Sequence, residues 1–200
     1  MKNPFYYHVH HFFRPIVTFF FPIKVHGIEN VPTDRPVIFC ANHTSGFDPV
    51  LLCCAFRSDY PVRLMAKKQL FSIPGLAWLI RNMGAFPVDR GHGDISAVKN
   101  AIGCLRDGGS LIIFPEGTRI KNGQRIEPKS GAAMIAIRAG VQMVPVYIKK
   151  AKGMFRKTPV VFGAPYDPVY AGRKGTAEEY QHNTDEVMDR AYALGETLCK

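Results

Sequence analysis

The chain has 200 residues, of which 46% are hydrophobic and 21% are charged. A chain of this length fits one ordinary domain that buries roughly 70% of the surface of its unfolded form, and the composition excludes disordered and collagen-like classes. Lys and Arg number 26 against 16 Asp and Glu, and the net charge of +10 favours an anionic partner: nucleic acid, a phosphorylated ligand or an acidic membrane surface.

Cysteine usage indicates the redox compartment, and the distribution of charge along the chain indicates where an anionic partner would bind. The five cysteines are odd in number and form no Cys-x-x-Cys pair, which disfavours a disulfide framework and structural zinc and favours a reducing compartment. Residues 119–174 carry twelve Lys and Arg against two acids, whereas residues 175–200 have a net charge of −4. The positive excess is therefore regional, and a solvated basic face explains it as well as a ligand or membrane patch does.

The first predicted element is an aromatic N-terminal segment, residues 1–24, which we predict as a unit distinct from a single domain at residues 25–200. Its longest uncharged run has 11 residues, against about 20 for a spanning helix, and Pro15 and Pro22 are expected to interrupt a helix. Arg14 splits the apolar region, which argues against a signal peptide. The rings favour a helical segment lying in the membrane interface, and the alternative is a helix packed on the domain's own core.

Beyond this segment, short apolar runs alternate with helical patterns. Six runs are predicted as buried strands: 37–41, 62–66, 85–88, 111–114, 144–149 and 160–162. Four segments between them are predicted as helices: 49–56, 69–82, 95–106 and 131–139. Thr176 and Glu179 form a capping box that opens a last helix. The alternation predicts an α/β fold with a mostly parallel central sheet flanked by helices.

The most informative segment, residues 42–48 (NHTSGFD), directly follows the first of these strands. His43 and Asp48 would lie about 140° apart on a continuous helix, so they face each other only if the chain turns between them. Gly46 permits that turn, and Asp48 followed by Pro49 is typical of a helix start. A carboxylate there can accept the Nδ1 proton of the imidazole and leave Nε2 as a general base. Taken alone, the pair is explained better by a capping aspartate and a loop histidine.

Three further strand ends carry charged or small residues, at the position where α/β sheets bind ligands. Residues 114–119 (FPEGTR) include Gly117, which lets backbone approach a ligand, and Arg119, whose planar guanidinium matches phosphate. The other two strand ends supply cations at Arg90 and at Lys67 and Lys68. Four strand ends together present His and Asp, Lys, Arg, and Glu with Arg.

These segments resemble, in order, the motifs of the glycerophospholipid acyltransferase family, and specifically of its 1-acylglycerol-3-phosphate acyltransferases. The four matching segments are residues 42–48, 84–90, 114–119 and 144–146. With the similar run GIENVP at residues 27–32, the resemblance covers roughly residues 25–165. The Glu-Gly-Thr-Arg form of the third motif is more typical of enzymes that act on lysophosphatidic acid than of those that act on glycerol 3-phosphate.

The resemblance implies acyl transfer from a thioester to the free hydroxyl of 1-acylglycerol 3-phosphate, giving phosphatidic acid. His43 would be the base and Asp48 would orient it. The implied glycerol-phosphate site consists of Arg90, Glu116, Gly117, Thr118 and Arg119, and Lys67 is the candidate for an extra phosphate partner. Lys129 is interpreted as a surface lysine. No enzyme nucleophile is needed, and the chain has no Gly-x-Ser-x-Gly elbow.

We expect no metal and no cofactor, with acyl-CoA or acyl-ACP as the co-substrate. A metal at His8, His10 and His11 is discounted because the first two point to different faces of a helix. The expected partners are a lysophospholipid acceptor, a thioester donor that includes acyl carrier protein, and an anionic membrane surface rather than nucleic acid. We therefore expect a peripheral or monotopic membrane protein at the cytoplasmic face. Two alternatives stay open: another lysophospholipid or alcohol as acceptor, and a non-catalytic module that binds anionic lipid.

Overall fold

A computed structural model of the chain describes residues 4–58, 60, 62–89, 94–120, 124–150 and 153–198. The helices in these ranges are α1 (Pro4–Phe20), α2 (Asp48–Ala55), α3 (Leu76–Asn82), α4 (Ile95–Arg106), α5 (Gly131–Ala139) and α6 (Ala177–Thr197). The strands are β1 (Ile23–His26), β2 (Val37–Ala41), β3 (Val62–Lys67), β4 (Phe86–Val88), β5 (Ser110–Ile113), β6 (Gln142–Ile148) and β7 (Thr158–Phe162).

The strands form one sheet in the order β1-β7-β6-β2-β5-β3-β4. Neighbouring strands run parallel except for the antiparallel pair β6 and β7. All five residues of β2 are buried, because this strand lies at the centre of the sheet with helices on both faces. Burial on both faces explains why β2 is a continuous apolar run in the sequence. The predicted α/β fold with a mostly parallel sheet is confirmed.

Two apolar cores lie on the two faces of the sheet. Side chains alternate along β2, so that Phe39 packs with Phe56 and Phe162 on the face covered by α1 and α2. Ile38 and Cys40 point to the other face, which α4, α5 and α6 cover. Both faces are thus shielded from water, and the chemistry is left to the strand ends.

The predicted strands and helices are present, with boundary shifts and two larger differences. The helix predicted at residues 69–82 is instead a 3-10 turn at Lys68–Ser72 followed by α3. Gly75 between them has a φ of 76°, a left-handed conformation that a continuing helix does not contain. The other difference is β1, an edge strand of four residues that was too short for its apolar pattern to be recognised.

The prediction that Pro15 interrupts the N-terminal helix is wrong. α1 continues through Pro15 to Phe20, and Pro22 follows its end. Pro15 is exposed, so solvent can satisfy the carbonyl that loses its helical partner. Just before it, the Arg14 guanidinium donates to the Cys54 carbonyl over 2.9 Å, and this packing against α2 stabilises the helix.

α1 has one face on the core and one face outward. Tyr6 and His10 are buried, and His10 Nε2 donates to the Cys53 carbonyl over 3.1 Å. Large side chains at helical spacing, Phe12, Ile16 and Phe19, are exposed on the other side. The inner face of α1 therefore fits the interpretation as a helix packed on the core, and the outer face fits the interpretation as a helix in the membrane interface. Among the described helices, none is long and apolar enough to cross a bilayer.

Candidate active site

Asn42, the first residue after β2, is fixed to β6 by its side chain. The amide donates to the Ile148 carbonyl over 3.0 Å and accepts from the Ile148 N–H over 2.7 Å. An amide side chain offers a donor and an acceptor together, which this pair of bonds requires. The start of the segment after β2 is therefore held in place before the chain turns.

His43 and Asp48 are brought together by the turn that their spacing required. Asp48 is fully buried at the first turn of α2, where the helix dipole favours a negative charge. Its Oδ2 accepts from His43 Nδ1 over 3.1 Å and from the backbone N–H groups of Thr44 and Ser45, each over 2.7 Å. Because an ionised carboxylate only accepts, Nδ1 carries the proton and Nε2 of the neutral ring carries the lone pair.

The backbone of His43 is held by the segment that follows β5, the strand next to β2. Glu116 Oε2 accepts from the His43 N–H over 2.8 Å, and the Ile120 N–H donates to the His43 carbonyl over 2.8 Å. The ring of His43 lies 4.5 Å from that of Phe114, centroid to centroid. Both the position and the plane of the imidazole are thus defined by neighbours from a different strand.

Glu116 is a buried carboxylate with a hydrogen bond on each oxygen. Its Oε1 accepts from the hydroxyl of Tyr192, which lies on α6. Burial raises the pKa of Glu116, although the hydrogen bonds from Tyr192 and His43 counteract this rise. Burial also raises the pKa of Tyr192, and the bond to the carboxylate adds to this effect.

Two cations each lie beside a glycine of the site, Arg119 at the turn between His43 and Asp48 and Lys129 at the third motif. A Cβ at Gly46 would lie 3.5 Å from an Arg119 guanidinium nitrogen, which places that guanidinium against the segment between His43 and Asp48. A Cβ at Gly117 would lie 3.3 Å from Lys129 Cε, and the φ of +67° at Gly117 also favours glycine. Arg119 and Lys129 are both exposed to solvent.

The other predicted site residues are less closely associated with His43 and Asp48. Lys67 is exposed at the end of β3, two strands away from β2. Thr118 is exposed next to Gly117, and Arg90 lies outside the described residues. Sequence reasoning assigned no role to Asn42 and missed Tyr192, and it interpreted Lys129 as a surface lysine. The first two could not be found, because their partners lie 106 and 76 residues away along the chain.

A cavity of about 360 Å³ opens next to this site. Phe114, Pro115 and Gly117 line the end near His43, and Lys129 is at the same end. The rest of the wall is mostly apolar and comes from β3, β4, β5, α4 and α5: Met65, Val88, Ile113, Ala97, Val98, Ala132, Met134 and Ile135. Two carboxylates, Asp89 and Asp94, also line it. Such a cavity is suited to a flexible apolar chain.

The cysteines near the site are unsuited to act as nucleophiles. Cys40, Cys53 and Cys54 are unpaired thiols in or beside the core. Burial raises the pKa of the Cys53 thiol to about 12 and that of Cys54 to about 11. Thiols with such pKa values stay protonated at neutral pH, so these residues pack rather than react.

The fold and the site together define an α/β protein in which a histidine is oriented by a buried carboxylate and flanked by cations and an apolar cavity. The family profile described as Acyltransferase matches residues 22–149, and the chain belongs to this family.

Relatives at the level of single proteins carry more specific names. A 1-acyl-sn-glycerol-3-phosphate acyltransferase of Bacillus subtilis is 30% identical over 88% of this chain and 89% of its own length. A protein of the same name from Streptococcus pneumoniae is 37% identical over 71% of this chain. The crystal structure of the 1-acyl-sn-glycerophosphate acyltransferase from Thermotoga maritima has a TM-score of 0.75 at 30% identity and matches 98% of this chain and 80% of that chain.

The matched regions are only part of several relatives. The match covers 54% of the Streptococcus pneumoniae relative and 36% of the chloroplastic 1-acyl-sn-glycerol-3-phosphate acyltransferase of Arabidopsis thaliana, to which 64% of this chain is 33% identical. The chain thus spans between about a third and just over half of the length of these relatives.

Proposed function

We propose that the protein transfers an acyl group from an acyl thioester to the free hydroxyl of 1-acylglycerol 3-phosphate, giving phosphatidic acid. The hydrogen bond of 3.1 Å between His43 Nδ1 and Asp48 Oδ2, with Arg119 against the same turn, carries this proposal. The names of the relatives from Bacillus subtilis and Thermotoga maritima support the choice of acceptor.

The reaction uses His43 first as a base and then as an acid. Nε2 removes the proton of the acceptor hydroxyl as its oxygen attacks the thioester carbonyl carbon. The tetrahedral intermediate then re-forms the carbonyl and breaks the carbon–sulfur bond. The departing thiolate takes the proton from His43, so the products are an ester and a free thiol. Asp48 keeps Nδ1 protonated and stabilises the imidazolium between the two steps.

The acceptor phosphate is assigned to the cationic side of the turn. Arg119 offers paired donors for phosphate oxygens, and Lys129 supplies a second charge across Gly117. Thr118 and Arg90 stay in the proposed acceptor site as the family motifs imply, and Lys67 stays as an extra phosphate partner. Glu116 has both oxygens bonded within the protein, so its proposed role is to hold the His43 backbone rather than to contact phosphate.

The cavity beside Phe114 is the proposed place for an acyl chain. Its volume of about 360 Å³ and its mostly apolar walls suit a hydrocarbon chain whose reactive end lies near His43. The thioester donor is acyl-CoA or acyl-ACP, and the phosphates of either carrier suit the basic stretch from residue 119 to residue 174.

The outward face of α1 is the proposed membrane surface, on the cytoplasmic side. Phe12 and Phe19 are exposed at 64% and 68%, which is unusual for such large apolar rings on a soluble surface. The surface also adjoins the site, because the ring of Phe21, just after α1, lies 4.7 Å from that of Phe47 in the catalytic turn.

The loop between β6 and β7 extends this surface. The ring of Phe155 lies 5.9 Å from that of Phe19, and the Phe155 N–H donates to the Phe20 carbonyl over 2.6 Å. Phe155 has a φ of 60°, a strained conformation for a bulky residue, and its ring is 61% exposed. Arg156 and Lys157 follow directly and suit anionic headgroups.

A direct assay tests the proposed reaction. Purified full chain is given lysophosphatidic acid in anionic vesicles with an isotope-labelled acyl-CoA, or in parallel with labelled acyl-ACP, and labelled phosphatidic acid is measured by mass. We expect product with the wild type and none above background with His43→Ala. A panel of acceptors without the phosphate is expected to be acylated at least tenfold more slowly. Equal rates on the panel would overturn the choice of acceptor, and binding of lipid without any product would favour a non-catalytic module.

A further inference from the structure

α6 lies outside the part of the chain that the family profile matches, residues 22–149, yet it contributes a side chain to the site. The Tyr192 hydroxyl donates to Glu116 Oε1, while the other oxygen of the same carboxylate accepts from the His43 backbone N–H. Tyr192 is thus linked to the backbone of the proposed base, His43, through the two oxygens of Glu116.

An arginine covers one face of the Tyr192 ring. The Arg125 guanidinium carbon lies 4.0 Å above the ring centroid, and Arg125 also pairs with Asp189 over 2.8 Å. Asp189 and Tyr192 are three residues apart on α6 and share one face of the helix. Arg125 therefore links the chain that follows the third motif to α6 and restricts the tyrosine ring to the position from which it reaches Glu116.

The groups that face Glu116 come from two sides of the molecule. His43 and Asp48 face it from the segment between β2 and α2, and Tyr192 faces it from α6. Only 2% of the surface of Glu116 is exposed, so protein donors have to replace the water that would otherwise solvate its charge.

We propose that Tyr192 is a positioning residue for His43. Its hydroxyl fixes the Glu116 carboxylate, which in turn fixes the backbone N–H of His43 and thereby the direction of the imidazole. The proposal rests on the proposed acyl transfer, in which His43 is the base. A shift of the His43 ring by a fraction of an ångström changes the rate of proton transfer more than it changes the binding of either substrate.

Tyr192→Phe tests the proposal because it removes the hydroxyl and keeps the ring under Arg125. We expect kcat to fall roughly tenfold while the KM values for acceptor and thioester stay within about twofold. With one donor fewer, the pKa of the buried Glu116 carboxyl rises further, so the variant loses activity at a higher pH than the wild type does when the pH is lowered.

Tyr166→Phe is the matched control. The Tyr166 hydroxyl also makes a buried bond to α6, donating to Asn183 Oδ1 over 2.7 Å, and Arg190 lies 4.6 Å above its ring. Each variant therefore loses one tyrosine hydroxyl hydrogen bond, but the bond of Tyr192 goes to a carboxylate and that of Tyr166 to an amide oxygen, so Tyr192→Phe should lose somewhat more thermal stability. Only Tyr192→Phe should lower kcat and move the pH profile.

A double-mutant cycle with Glu116→Ala, which removes both hydrogen bonds of the carboxylate, tests whether Tyr192 acts through it. If it does, adding Tyr192→Phe to Glu116→Ala should lower kcat less than it does in the wild type, whereas Tyr166→Phe should have the same small effect in both backgrounds. The His43 backbone amide, labelled with ¹⁵N, should shift in Tyr192→Phe and stay unchanged in Tyr166→Phe.

The outcomes separate this proposal from the proposed function. If the wild type makes no phosphatidic acid, the proposed function fails, and the amide shift still reports whether Tyr192 positions His43. If the wild type is active and Tyr192→Phe matches Tyr166→Phe in kcat, in pH profile and in the amide signal, the positioning role is overturned.

Discussion

Two regions of the molecule depart from the usual rule that charged residues are exposed and large apolar residues are buried. The first is at the ends of β2 and β5, where charged groups are buried, and the second is the outward face of α1, where large apolar rings are exposed. At the strand ends His43, Asp48 and Glu116 are buried, with 6%, 0% and 2% of their surface exposed. On α1, by contrast, the large rings of Phe12 and Phe19 face outward. Charged groups are seldom buried, and large contiguous apolar patches are seldom exposed, unless they serve a purpose.

The two regions differ in the interactions that offset the cost of burying charged groups or exposing apolar rings. Most buried polar atoms at the strand ends have specific partners, such as the three donors on Asp48 Oδ2, whereas Asp48 Oδ1 and Thr44 Oγ1 are buried without a hydrogen bond from the described residues. The rings on α1 and at Phe155 mainly contact one another, as the edge-on pair Phe19 and Phe155 does. The first region is therefore stabilised mainly by hydrogen bonds within the chain, whereas the second leaves its rings to the proposed membrane surface.

The largest expected effect comes from disturbing the buried region at Asp48. Asp48→Asn should lower kcat by about 10³–10⁴-fold, because an amide donor facing Nδ1 favours the tautomer whose Nε2 already carries a proton. Initial rates of phosphatidic acid formation measure this. Thr176→Ala removes the side chain that caps the start of α6, outside the catalytic turn, and should keep kcat. An Asp48→Asn enzyme with more than a tenth of wild-type kcat would refute the role of the carboxylate.

A smaller effect is expected at the boundary between the two regions, where Arg119 is exposed but lies against the catalytic turn. Arg119→Ala should raise the KM for lysophosphatidic acid roughly 10–100-fold and leave the KM for the thioester nearly unchanged, since only the acceptor phosphate loses its charged partner. Arg138→Ala removes an exposed arginine from the last turn of α5 and is the control. Equal changes in both KM values would argue against a phosphate contact.

The exposed region should respond in binding rather than in chemistry. Phe155→Asn removes the ring, and Asn tolerates the left-handed backbone at this position. We expect the partition onto anionic vesicles to fall roughly tenfold, as measured by co-sedimentation and by the fluorescence of Trp78, the single tryptophan. Val169→Asn, at an exposed valine whose backbone N–H bonds to Asn183 of α6, is the control. Unchanged partition of Phe155→Asn would remove this loop from the membrane surface.

The smallest expected effect is on the pH dependence of stability. Burial raises the pKa of Glu116, so its ionised form destabilises the fold above its unfolded pKa, and the penalty disappears as the pH falls through the raised value. Gln at this position can accept from His43 and donate to Tyr192. The free energy of unfolding of Glu116→Gln, relative to wild type, should therefore increase with pH in urea titrations. Glu127→Gln, at an exposed position, should give a flat difference.

The sequence could predict those features that depend on residues close together along the chain. β2 and α4 follow from apolar periodicity, and the turn from His43 to Asp48 follows from five residues of spacing and a glycine. The capping box at Thr176 and Glu179 is present as expected. In each case the partners are close enough for one segment to specify the geometry.

Features that depend on distant partners could not be predicted. The family resemblance implies a place for Glu116 in the acceptor site, and only the fold shows that His43 and Tyr192 donate to its two oxygens. Pro15 was expected to break a helix because its missing N–H is a local penalty, whereas the packing of Arg14 on α2 is a tertiary contribution. Lys129 lies beside Gly117 because the chain returns there after the third motif.

The bonds of Asn42 to β6 have a consequence for how this chain can be altered. Asn42 is tied to Ile148 on one side, and Asp48 begins α2 on the other, so the five residues between them connect two fixed points. An inserted or deleted residue cannot be absorbed by moving either end, and it would displace the imidazole from its carboxylate. Apart from His43, the side chains of this segment can be exchanged as long as its turn is kept, but its length cannot change.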